Sequence, residues 1–130
     1  MGLMGRESYL VAHRPLGVWG FWLAVLTVGV LTVLPTDMLP TGAFDFWDKA
    51  QHAIAFGILS FSGLIAYPKR HNEVIFGLIL YGGLIEVAQA FIPWRSCEIL
   101  DFLADVCGVI VIAMILRDGK GVKSLLLTMK

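Results

Sequence analysis

A stretch of 19 residues without any ionisable side chain, LGVWGFWLAVLTVGVLTVL, runs from residue 16 to residue 34. As an α-helix rising about 1.5 Å per residue, it is just long enough to cross a hydrocarbon layer ~30 Å thick. It is long for the apolar part of a secretory signal, and the following VLPTDMLP offers no pair of small residues for cleavage. We therefore expect a membrane-spanning helix here.

Three further apolar stretches, at residues 53–67, 74–92 and 99–116, also predict spanning helices. The chain is 58% hydrophobic and 15% charged, with a mean hydropathy of +0.79, which is far more apolar than an ordinary soluble domain. The stretch at 53–67 is too short to span unless its helix begins near Asp48. All prolines fall between the stretches, where a missing N–H disturbs a helix least.

The sequence thus predicts an all-α fold, an integral membrane four-helix bundle that forms a single domain over residues 1–130. The predicted helices are at about 16–34, 48–67, 74–92 and 99–116, followed by a cytoplasmic tail at 117–130.

The basic residues are distributed unevenly along the chain. Of the 10 Lys and Arg residues, all but Lys49 and Arg95 lie in the N-terminal segment, the 68–73 connection or the tail. Segments rich in Lys and Arg stay in the cytoplasm. This bias predicts that both termini are cytoplasmic and that the connections at 35–52 and 93–98 lie outside.

Three of the predicted helices each carry two polar residues about one turn apart. The pairs are Asp48 and His52, Glu86 and Gln89, and Asp101 and Asp105. Residues three or four apart project from one face of a helix, and the predicted orientation places all three pairs at the outer end. Glu86 and Asp105 would each lie roughly 9 Å inside the end of a span. Small neighbours such as Gly82 and Gly108 favour close helix packing, so we expect the pairs to converge.

The converging side chains carry excess negative charge. The carboxylates of Asp48, Glu86, Glu98, Asp101 and Asp105 outnumber the cations of Lys49 and Arg95 by three. A single charge at the centre of a spanning helix costs about 2.5–3.5 kcal/mol, and such residues are by default candidates for a functional site. The site must therefore take up protons, charge His52 or bind a cation.

These residue types support several kinds of chemistry. His52 and a neighbouring carboxylate can serve as general acid and base. Arg95 and Lys49 can hold phosphate oxygens, the first bidentately and the second as a point charge. An imidazole with several carboxylates can bind a divalent cation such as Zn²⁺, Mn²⁺ or Mg²⁺.

The candidate residues fall into three sets. The candidate catalytic residues are Asp48, His52, Glu86, Asp101 and Asp105; the candidate substrate-binding residues are Lys49, Gln89 and Arg95; the candidate metal ligands are His52, Glu86, Asp101 and Asp105.

The order of these residues resembles a known family motif. It reads Asp48-Lys49-x-x-His52, Glu86-x-x-Gln89, Arg95 and Asp101-x-x-x-Asp105-x-x-Gly108. It is similar to the motif of the VanZ-like family of small bacterial membrane proteins, which runs D-K-x-x-H, E-x-x-Q, R, D-x-x-x-N-x-x-G. Asp105 stands where that family has Asn, and the extra carboxylate would strengthen cation binding or require one more proton. The resemblance implies a multi-pass protein of the bacterial cytoplasmic membrane that is linked to glycopeptide (teicoplanin) resistance and cell-envelope processes.

We therefore expect a cell-envelope membrane protein whose outward-facing polar site binds or processes a lipid or lipid-linked head group that carries phosphate. Its partner would be a membrane lipid or a lipid-linked envelope precursor. Whether the head group is hydrolysed, transferred or only bound stays open, as does the oligomeric state.

Two other classes of protein use such residues. A structural or partner-binding module would use the polar network to lock the helices together. A proton-coupled carrier would use the carboxylates as a relay, but the 58–66 and 109–116 stretches continue that relay only with Ser60 and Ser62. Nucleic-acid binding is not indicated, because the few basic residues lie where topology places them. Cys97 and Cys107 would be about 15 Å apart on one helix, too far for a disulfide.

Overall fold

The computed structural model describes residues 3–35 and 45–117, with side chains described for 15–35 and 48–117. The described residues form four helices: α1 (Leu3–Val33), α2 (Asp45–Ala66), α3 (His71–Ala90) and α4 (Ile99–Arg117). The predicted all-α fold with four helices is confirmed. The predicted tail lies outside the described residues from residue 118 onward.

Three of the helices are long and apolar enough to cross a membrane: the Pro15–Val33 part of α1, α3 and α4. Their apolar side chains lie largely on the outside of the molecule, where Trp19 and Ile99 are each 75% exposed. Such a surface would associate in water and is instead the surface that lipid covers. The chain is therefore a membrane protein. The fourth helix, α2, has 22 residues, and its first turns carry Asp48, Lys49 and His52.

The prediction that every proline lies between helices is wrong for Pro15, which lies inside α1. Proline removes one N–H and crowds the carbonyl four residues earlier, so it can bend a helix without ending it. Because α1 begins at Leu3, it has 31 residues and extends well beyond the predicted start at residue 16. The other helix bounds differ from the predicted ones by three residues or fewer.

The most extensive helix contact joins α2 to α4, which run parallel. Their backbones meet at Gly108, where an added Cβ would contact the carbonyl of Ala53 and lie 3.0 Å from the nitrogen of Gly57. No residue other than glycine fits at this crossing without a shift of the helices. Small residues thus allow close approach in a membrane, where apolar burial alone does not drive helices together.

The remaining helices complete the bundle around a small apolar core. α3 runs opposite to α2 and α4, and α1 lies against α2 and α3. Phe56, Leu59 and Val109 are fully buried at the centre. This arrangement brings the end of α1 together with the starts of α2 and α4 and the end of α3, and the last three carry the polar pairs singled out above.

Candidate functional site

The polar residues of three helices meet at one end of the bundle, as the sequence predicts. Asp48, Lys49 and His52 lie on the first turns of α2, Glu86 and Gln89 near the end of α3, and Asp101 and Asp105 on the first turns of α4. Glu86, Gln89, Asp101 and Asp105 are each at most 6% exposed. Their pairing partners on neighbouring helices show how the chain tolerates so many buried polar groups.

His52 on α2 pairs with Asp105 on α4. The Nδ1 atom of His52 lies 2.9 Å from the Oδ1 atom of Asp105, whose side chain is 1% exposed. The other oxygen of Asp105 points toward α3, where a Cβ added to Gly82 would lie 3.1 Å from it. Glycine at position 82 therefore provides the space that the Asp105 carboxylate occupies between the helices. An imidazole held by a buried carboxylate is an arrangement that can accept and donate protons.

Lys49 lies between two carboxylates of the α4 start. Its Nζ atom is 3.0 Å from Oε2 of Glu98 and 3.3 Å from Oδ1 of Asp101. The hydrogen bond and charge of the Lys49 ammonium lower the pKa of the Glu98 carboxyl, which lies in the connection before α4. Because this pKa is lowered on folding, the pair stabilises the fold above the ordinary pKa of Glu and loses that contribution as the pH falls through the lowered value. Lys49, predicted to bind substrate, is thus already paired.

Glu86 on α3 holds the start of α4. Its Oε2 atom accepts a hydrogen bond of 3.0 Å from the backbone N–H of Glu98. The first N–H groups of a helix have no partner within the helix, and its N-terminus favours negative charge. Glu86 therefore contributes to the packing of α3 against α4 through one oxygen. Its second oxygen, Oε1, is buried and has no hydrogen-bond partner in the described part of the chain.

The end of α1 also contributes to the site, which the side-chain pattern did not predict. Gln89 donates to the Thr32 carbonyl at 3.1 Å, and Arg95 donates through Nη2 to the Leu31 carbonyl at 3.1 Å. Trp94 donates to the next carbonyl, that of Val33, at 3.3 Å. The last carbonyls of a helix lack N–H partners, and Pro35 has no N–H to give to Leu31. Pro35 and the hydrogen-bond donors that follow α3 were the sequence features from which this contribution of α1 could have been predicted.

A cavity of about 160 Å³ lies between α1, α2 and the end of α3. Its polar lining consists of Thr32, Asp48, Gln51, His52, Gln89 and Arg95. The Nε atom of Arg95 is buried and has no hydrogen-bond partner among the described residues. Gln51 was not predicted, although it lies three residues after Asp48 and so shares its helix face. The cavity is thus lined by both an imidazole and a guanidinium.

Two groups of residues in the described part of the chain could hold a metal ion. One group consists of Asp48, His52 and Asp101, and the other consists of His52, Glu86 and Asp105. Within each group, one ligand atom per residue lies within 4.8 Å of the others. The two groups together include all four predicted metal ligands, and they also include Asp48, which was not predicted to be a ligand. His52 belongs to both groups, so one ion at a time would use it.

Comparison with known proteins adds no assignment to this geometry. The chain matches none of the protein-family models, and neither a curated protein nor a solved structure shows significant similarity to it. The resemblance to the VanZ-like motif therefore stays a prediction that rests on the residues themselves.

Proposed function

We propose that all four helices cross the bacterial cytoplasmic membrane, with both termini in the cytoplasm and the polar cluster near the outer face. The distribution of Lys and Arg supports this orientation, because the connections at the polar end hold few of them. The close packing of α2 with α4 supports a fourth span, since the contacts of α2 with that candidate spanning helix extend from Lys49 to Ser60. The resemblance to VanZ-like proteins points to the same membrane.

Cys97 offers a direct test of this orientation. It lies in the connection between α3 and α4 and is exposed, and Cys107 on α4 is also free. In intact cells that express a Cys107→Ala variant, a membrane-impermeant maleimide should label Cys97 without cell lysis. Labelling only after lysis would place the polar end in the cytoplasm. A Cys97→Ala variant, which retains Cys107 within the apolar layer, is the matched control and should show little labelling.

The site at this end would bind or process a lipid or lipid-linked head group that carries phosphate, in a process related to the cell envelope and to glycopeptide resistance. The observation that carries this proposal is Arg95, a guanidinium that lines the cavity and whose buried Nε has no hydrogen-bond acceptor among the described residues. A phosphate oxygen is an acceptor that guanidinium groups bind well. His52 lines the same cavity and could move a proton to or from the bound group.

Binding of a polyprenyl phosphate to the purified chain tests the proposal. In nanodiscs, the chain should bind the phosphate in preference to the matching polyprenol. Arg95→Gln should weaken that binding about 10–100-fold, because a hydrogen bond to a charged group contributes about 1.5–3 kcal/mol. Arg70→Gln, which removes an exposed arginine at the opposite end that pairs with Glu73, should leave the binding unchanged.

Equal binding of the phosphate and the alcohol, or full binding by Arg95→Gln, would refute the head-group proposal. Release of inorganic phosphate from the bound lipid would distinguish hydrolysis from simple binding. Loss of that release in His52→Ala, with binding retained, would assign His52 to the chemical step.

A structural module is the second candidate, and one observation favours it. Five polar side chains of the cluster contact another helix or a segment that joins two helices. They are Lys49, His52, Glu86, Gln89 and Arg95. In that case Glu86→Gln should lower thermal stability while any envelope phenotype persists. A proton-coupled carrier is less well supported, because the described core beyond the polar cluster is apolar except for Ser60, which donates to the Val109 carbonyl.

A further inference from the structure

Glu86 and Asp105 are buried carboxylates beside His52, and neither forms an ion pair with a lysine or an arginine among the described residues. We propose that His52, Glu86 and Asp105 bind one divalent transition-metal ion, Zn²⁺ or Mn²⁺, inside the bundle. This inference shares His52 with the head-group proposal: while an ion is bound, His52 would be its ligand and not a proton carrier, and the test needs only the chain and an ion. It selects one of the two groups of residues described above.

The geometry of this group suits a shared ion. One ligand atom from each of the three residues lies within 4.8 Å of the other two. Glu86 is 6% exposed and Asp105 is 1% exposed, so water does not solvate these carboxylates freely. The three residues come from three different helices, and an ion between them would join α2, α3 and α4 at one point.

Two members of this group have unpartnered acceptor atoms. Oε1 of Glu86 and Oδ2 of Asp105 are buried and have no hydrogen-bond partner among the described residues, and the same holds for Oε1 of Gln89, one turn after Glu86. An unpartnered buried acceptor destabilises the fold, and more so when it is charged. These oxygens beside one imidazole are acceptors that a bound cation would satisfy.

The two basic residues at this end of the bundle have other partners. Lys49 lies against Glu98 and Asp101, and Arg95 donates to the Leu31 carbonyl and faces the cavity. A divalent ion would balance the charges of Glu86 and Asp105 with His52 neutral. Balanced charge is what a low-dielectric interior requires.

The alternative group, Asp48 with His52 and Asp101, is less suitable for a cation. The Lys49 ammonium lies 3.3 Å from Asp101, where it would repel an ion, and Asp48 is exposed. The donor set of the buried group, one imidazole nitrogen and two carboxylates, suits Zn²⁺ or Mn²⁺ better than Ca²⁺ or Mg²⁺, which prefer ligand shells of oxygen alone.

Titration of the purified, tag-free chain with Zn²⁺ and Mn²⁺ tests this inference. After treatment with a chelator, the chain in detergent should take up one ion and melt at a higher temperature with it than without it, because an ion that binds only the folded state stabilises that state. Glu86→Gln and Asp105→Asn should each weaken ion binding by at least ~100-fold, more than the loss of an outer-shell partner does. Glu73→Gln, an exposed carboxylate at the other end, is the matched control.

Absence of saturable ion binding to the unmodified chain would overturn the inference, whatever the variants do. Binding that survives both Glu86→Gln and Asp105→Asn would overturn it as well. If either variant fails to fold, the visible spectrum of Co²⁺ bound to the unmodified chain decides: absorption bands typical of nitrogen and oxygen ligands support the site, and the spectrum of free aqueous Co²⁺ refutes it. None of these results affects the polyprenyl phosphate experiment with Arg95→Gln.

Discussion

Replacing Gly108 by alanine is expected to force α2 and α4 apart and to destabilise the bundle by about 1–3 kcal/mol or more. The new methyl group would contact the backbone carbonyl of Ala53, and it would lie 3.0 Å from the nitrogen of Gly57. Backbone atoms cannot move aside as a flexible side chain can, so the whole helix must shift. The gain of about 0.5–1 kcal/mol that alanine brings to a helix is too small to offset this.

Gly57→Ala is the matched control on the facing helix. An added Cβ there would lie 3.5 Å from a side-chain carbon of Ile112, an ordinary contact, so we expect no loss of stability. Unfolding of the purified variants by SDS titration measures both effects. Equal stability of the two variants would contradict the close α2–α4 contact.

The same change should also disturb the polar cluster. Ala53 follows His52 directly, and Gly108 lies one turn after Asp105. Separation of the helices at this point would lengthen the contact between His52 and Asp105, so Gly108→Ala should weaken this pair in addition to lowering stability. A glycine at position 108 thus has a physical reason in this chain.

Asp105→Ala is expected to cost about 3–5 kcal/mol, since it removes one partner of a buried pair and leaves the other without it. Asp105 is 1% exposed, and His52 lies 2.9 Å from it. Asp105→Asn should cost much less, because the amide has nearly the same shape and its oxygen can still accept a hydrogen bond from the imidazole. Asparagine is also the residue of the VanZ-like motif at this position.

Unfolding of both variants in the presence of a chelator separates this effect from ion binding. If Asp105→Ala and Asp105→Asn lowered the free energy of unfolding equally, the carboxylate charge, and not the contact with His52, would be what matters for stability. A negligible loss for alanine would contradict the burial of the pair.

The sequence predicted the polar cluster because depth and helix face are simple consequences of spacing. Asp48 and His52, and likewise Asp101 and Asp105, are four residues apart, so each pair projects from one side of its helix. Successive spans then bring the starts of α2 and α4 to the same end of the bundle. Neither step needs any knowledge of side-chain contacts.

Individual partners could not be predicted in this way. Spacing does not reveal that Lys49 lies between Glu98 and Asp101, because this depends on the rotation of α4 about its own axis. The role of α1 was missed because carbonyls at a helix end belong to the backbone and leave no side-chain pattern. The longer α1 was missed because Pro15 was interpreted as a helix boundary, although it lies within the helix.

The contact between α2 and α4 at His52 and Asp105 is the feature on which the candidate site most depends. A double-mutant cycle with His52→Ala, Asp105→Ala and the double variant measures it directly through the free energy of unfolding. Residues in contact commonly show a coupling free energy of about 0.5–3 kcal/mol. We predict a value in the upper part of that range. The double variant should then lose less stability than the sum of the losses of the two single variants. Additive losses, with no coupling, would mean that the two side chains do not meet and would contradict the site.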